Sequence, residues 1–96
     1  MSVIRIVRFT ADPADTERLL TRRAELIDAV RAAFPGLTET RLARLGDDRW
    51  VDVWRWDSAA SAHAATEGAP ALPETAAAFA LTRDVTSEQA ELVDER

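Results

Sequence analysis

Asp52, Trp54, Trp56 and His63 are the residues whose types and spacing could do chemistry together. They fall in one stretch, Arg49 to His63 (RWVDVWRWDSAASAH), which holds all three tryptophans and the only histidine of the 96-residue chain. An aspartate set among indoles is a candidate general base. Apolar surroundings favour the neutral form of a carboxyl group, whereas a neighbouring arginine favours the charged one. Such a base could take a proton from a phenol or an activated C–H group. Indoles form a flat wall that selects planar rings, and a histidine at the cavity mouth could carry a proton. Plainer roles compete: the tryptophans as core, Asp52 as the partner of an arginine such as Arg5, and His63 bonded locally on a helix surface.

The elements that must position these residues follow from periodicity. Trp50, Asp52, Trp54 and Trp56 alternate with Val51, Val53 and Arg55, the period of a strand, so indoles and carboxylate share one face. Val3 to Thr10 reads as a first strand, with Arg5, Val7 and Phe9 on one face and Ile4, Ile6 and Arg8 on the other. Asp15 to Phe34 is amphipathic, with Leu20, Ala24, Ile27, Val30 and Phe34 at steps of three and four beside Leu19 and Leu26. Pro35-Gly36 ends that helix. Leu37 to Leu45 is a second strand, with Leu42 opposite Leu37, Ala43 and Leu45, and Gly46-Asp47-Asp48 turns it into the tryptophan strand. Asp57-Ser58 can cap an Ala-rich helix from about Ala59 to Thr66. A further helical segment runs from Leu72 to about Leu81 with Phe79 as its anchor, and a last strand lies within Ser87 to Asp94.

The order is β-α-β-β-α-β, an α+β ferredoxin-like unit with one antiparallel sheet. Residues 1–96 are read as one domain. If both helices cover one sheet face, the other would expose Trp50, Trp54 and Trp56 with Val7 and Phe9. A patch of several aromatics, each burying about 150–250 Å², exceeds what monomers show. That geometry predicts a homodimer with the tryptophan face turned inward around a cavity lined by Arg5, Val7, Phe9 and Trp54.

Absences narrow the chemistry. No cysteine and no tyrosine occur, which removes thiolate nucleophiles, sulfur-bound metals and phenolic acid–base groups. Gly36, Gly46 and Gly68 are scattered at turns, so no phosphate-binding loop is present. The expectation is no metal and no cofactor. A net charge of −5 argues against nucleic acid as a partner. No apolar run is long enough to span a membrane, and MSVIRIVRFT has no signal-peptide pattern. Cytoplasmic localisation follows as the default expectation.

The strand ending Trp56-Asp57-Ser58, with His63 in the next helix, resembles the W-x-S…H signature of antibiotic biosynthesis monooxygenase domains. The resemblance covers nearly the whole chain and implies a dimeric α+β barrel. It implies a cofactor-independent monooxygenase acting on a small aromatic, quinol or polyketide-like metabolite. In the quinol and anthrone oxygenases of that family, an asparagine and a tryptophan four residues apart line the cavity. The matching positions are Asp52 and Trp56, so an aspartate stands where an amide is expected. The heme-degrading branch places an asparagine where this chain has Val7. The resemblance points to Asp52, Trp56 and His63 for catalysis, and the shared sheet face puts Trp54, Val7, Phe9 and Arg5 around the ligand. Two other readings are a non-catalytic dimeric ligand-binding or assembly module, and a cofactor-independent isomerase or cyclase.

Overall fold

A computed structural model describes all of residues 1–96. Strand β1 (Val3–Thr10) leads through a 3₁₀ turn at Pro13–Asp15 into helix α1 (Thr16–Ala33). The hairpin β2 (Leu37–Arg44) and β3 (Arg49–Trp56) follows, then α2 (Ala59–Gly68), a 3₁₀ turn at Ala69–Ala71, α3 (Pro73–Phe79) and β4 (Arg83–Glu91). The sheet order is β2-β3-β1-β4, with every pairing antiparallel. This is the ferredoxin-like α+β arrangement.

Local chemistry explains the joints. Gly36 ends the α1–β2 connection at φ +109°, a left-handed conformation that L side chains rarely adopt. Its backbone also runs close to α2, where an added Cβ would stand 2.6 Å from Ser61 Oγ and 2.7 Å from Asp57 Oδ1. The expected cap is present: Ser58 Oγ accepts the Ser61 N–H at 3.1 Å. The hairpin closes with the N–H groups of Leu45 and Gly46 donating to the Arg49 carbonyl.

The sheet faces require a correction. Register places Phe9 opposite Trp50, Val7 opposite Asp52, Arg5 opposite Trp54 and Val3 opposite Trp56. That face is the one the helices cover: Trp50 and Trp56 are only 6% and 2% exposed within a single chain. Trp50 and Trp56 therefore need no second copy to bury them, and Trp54 is half-buried. The uncovered face carries Ile4, Ile6, Val51 and Val53, with Arg8, Arg41 and Arg55 among them. Alternation correctly sorts residues into two faces, but it does not say which face the helices take.

Other differences are smaller. Leu19, not Leu20, is the buried member of the α1 stripe; Leu20 is half exposed. Leu37 joins Leu42 on the helix-covered face, because a register irregularity between Leu37 and Glu39 resets the alternation. Phe79 is nearly half exposed, and Ala78 is the buried residue of α3. Strand β4 begins at Arg83, four residues earlier than expected, with an irregular step just inside it where Asp84 adopts φ +54°. All nine of its residues are exposed.

The core divides in two. One cluster gathers Val3, Leu26, Val30, Ala62, Ala65 and Ala78 around Trp56. The other gathers Phe9, Ala11 and Leu19 around Trp50. On β3 the two clusters are separated by Asp52, the one buried charged residue.

Candidate functional site

Between the sheet and the helices lies a cavity of about 230 Å³. Strands β1 and β3 supply its floor with Arg5, Val7, Phe9, Asp52, Trp54 and Trp56. Helix α1 contributes Leu19, Arg23, Leu26 and Val30, and α2 and α3 close it with Ala65, Thr66, Thr75, Ala78 and Phe79. The cavity is thus built within one chain, not between two sheets.

Asp52 accepts three hydrogen bonds. Arg23 donates from Nε to Oδ2 and from Nη2 to Oδ1, each at 2.9 Å. Trp54 donates from its indole nitrogen to Oδ1, also at 2.9 Å. The side chains of Arg23 and Asp52 are 17% and 12% exposed, so this forked pair is largely withdrawn from water. Burying a charge is costly unless it is paired and hydrogen-bonded, and these contacts meet that requirement. Oδ1 receives two donors and Oδ2 one, which leaves Oδ2 with room to accept a further bond.

The expected arginine partner was Arg5; the structure corrects this to Arg23. Arg5 lines the same cavity, but its guanidinium donates to Ser87 Oγ on β4 at 3.2 Å. Arg23 was legible in principle. It stands four residues after Leu19 and three before Leu26, so it shares the face of the residues that are buried. A stripe drawn through Leu20 and Ala24 lies one position round the helix and leaves Arg23 outside it.

The structure brings together Arg5, Val7, Phe9, Asp52, Trp54 and Trp56, but not His63. The imidazole is 73% exposed on α2, with Nε2 3.2 Å from Glu67 Oε1 one turn on, and it is not part of the cavity lining. The expected place at the cavity mouth is therefore corrected: Ala62 and Ala65 face inward, which turns His63 outward. Trp50 is also outside the lining. It stacks on Phe9 at 6.5 Å between ring centroids, and the Arg44 guanidinium lies 4.3 Å from its ring. It packs as core.

No three His, Asp or Glu side chains come close enough together to hold a metal ion. No helix is long and apolar enough to cross a membrane.

A ferredoxin-like sheet with an apolar cavity under its helices defines a class of small α+β proteins. A family model for antibiotic biosynthesis monooxygenase matches residues 2–81, and the chain belongs to that family. Among solved structures it is similar to SnoaB, a cofactor-independent oxygenase from Streptomyces nogalater, with 23% identity and a TM-score of 0.73 over 98% of this chain and 95% of that one. It is also similar to Rv0793 from Mycobacterium tuberculosis (24% identity, TM-score 0.67, 99% and 98% covered). The protein NE2512 of unknown function from Nitrosomonas europaea aligns at 20% identity with a TM-score of 0.72, over 99% and 92%. These identities establish a shared fold. No protein of curated function matches the chain.

Proposed function

We propose that this protein is a cofactor-independent monooxygenase of a small aromatic, quinol or polyketide-like metabolite, with the cavity under the helices as its active site. The observation that carries the reading is an apolar, indole-walled cavity whose floor holds a single carboxylate, Asp52, beside a fixed cation. A planar substrate would lie against Trp54 and Trp56 over Val7 and Phe9. Asp52 Oδ2 is the proposed proton acceptor, because it is the carboxylate oxygen in the cavity with an acceptor position free. The resulting carbanion or phenolate passes electrons to dioxygen, which is both oxidant and oxygen source. For an anthrone-type methylene, one oxygen atom becomes the new carbonyl and the other leaves as water with the two displaced hydrogens.

Residues 1–96 are proposed to act as one domain and to form a homodimer through the uncovered sheet face. Ile4, Ile6, Val51 and Val53 are partly buried there, and flanking charges of both signs, Arg8 with Glu88 and Arg41 with Glu39, suit pairing with a second copy. Oxygen uptake with a panel of anthrones and quinols tests the reading. Turnover supports it. Ligand binding without oxygen uptake would make the protein a binding module, and conversion of a ligand without oxygen uptake would make it an isomerase or cyclase.

A further inference from the structure

The polar groups around the cavity differ in what they can still offer a ligand. Thr66, Thr75 and Thr82 each donate their one hydroxyl proton to a backbone carbonyl, of Ala62 at 2.9 Å, Ala69 at 2.6 Å and Phe79 at 2.8 Å. The Trp54 N–H is committed to Asp52, and an ionised carboxylate has no proton to give. Arg23 is different. A guanidinium carries five N–H donors, and Asp52 uses only two of them.

Position adds to the argument. Arg23 is anchored through both carboxylate oxygens, so it cannot swing toward solvent without leaving Asp52 buried and unpaired. Arg5 has one long bond to Ser87 on an exposed edge strand and is free to move. Two arginines against one carboxylate leave the lining with a formal excess of positive charge. Its remaining walls are mainly apolar.

We propose that Arg23 is the ligand-recognition cation of this cavity, and that the ligand is a flat apolar molecule that carries, apart from the proton Asp52 removes, an anionic oxygen of the carboxylate or acidic-phenolate kind. The inference rests on the reading of the cavity as the ligand site and names the substrate class for it. Asp52 sets the plane of the guanidinium, and the free N–H groups meet the anion. Because a planar fork matches an oxyanion better than an ammonium does, lysine is a poor substitute here.

The test is a binding comparison between 2-naphthoate and its neutral counterpart 2-naphthamide, read by quenching of the tryptophan fluorescence. The wild-type protein should bind the carboxylate roughly 10-fold or more tightly than the amide. The double variant Arg23→Gln/Asp52→Asn removes both charges of the pair; it should bind the two compounds with equal affinity. Arg23→Lys, which retains an ion pair with Asp52, should reduce the preference several-fold and decides the matter if the double variant does not fold. Arg5→Gln should keep most of it. A preference that survives in Arg23→Lys, or disappears in Arg5→Gln alone, overturns the assignment to Arg23. Equal wild-type affinity for the two compounds overturns the anionic class but leaves the cavity as a ligand site. Failure of both compounds to bind overturns the cavity reading and this inference together.

Discussion

Asp52 shows how much one atom changes at a fixed position. An amide both donates and accepts hydrogen bonds, whereas a carboxylate only accepts, and here it accepts from Arg23 and Trp54. Asp52→Asn should therefore do two things at once. Loss of the proton acceptor should lower oxygen turnover by about 10²–10⁴-fold. Loss of the buried partner of Arg23 should lower the thermal midpoint, with removal of one member of such a pair costing up to about 3–5 kcal/mol. A lowered midpoint with unchanged turnover would assign Asp52 to structure alone. Trp56 belongs at this scale as well: it is 2% exposed and central to its core cluster. Trp56→Ala should destabilise the fold by about 3–5 kcal/mol, so Trp56→Phe is the better probe of ligand stacking. Its expected result is weaker quenching and weaker binding of a planar ligand, with the melting transition still cooperative.

At the scale of elements, the Gly36 joint fixes how α2 approaches the β2–β3 hairpin, and with it the Trp56 end of the cavity. Gly36→Ala meets a strained φ and a close approach to Ser61 and Asp57 together. It should lower stability by more than about 1 kcal/mol, measured by urea unfolding; an unchanged midpoint would show that the joint relaxes freely. Strands β1 to β3, α1, the Pro35-Gly36 stop and the Ser58 cap are readable in the sequence because each has a local cause: alternation, a period near 3.6, a missing N–H, a side-chain oxygen. What was not readable is relational. Leu19 and Leu20 fit the α1 stripe almost equally well, and choosing between them decides whether Arg23 faces the sheet. The start of β4 was hidden because all nine residues of this edge strand are exposed, so no apolar alternation marks it. The site residues on β1 and β3 are legible as one face; their Arg23 partner is legible only once Leu19, and not Leu20, is set in the buried stripe of α1.

At the scale of the whole molecule, the covered and uncovered sheet faces exchange the roles that alternation alone suggested. The tryptophan face makes the cavity, and the face with Ile4, Ile6, Val51 and Val53 is the one the helices leave uncovered. Val53→Glu, which puts a charge at the middle of that face without touching the cavity, should convert a homodimer into a monomer by light scattering. A dimer that persists would move the interface elsewhere. The central claim is that this cavity carries out oxygen insertion with no bound cofactor, and isotope incorporation tests it most directly. Protein treated with chelator is incubated with an anthrone under ¹⁸O₂, and the product is weighed by mass spectrometry. One heavy oxygen atom is expected in the quinone product, formed faster than in buffer and slowed by Asp52→Asn. Product that carries no label, or forms no faster than in buffer, would contradict it.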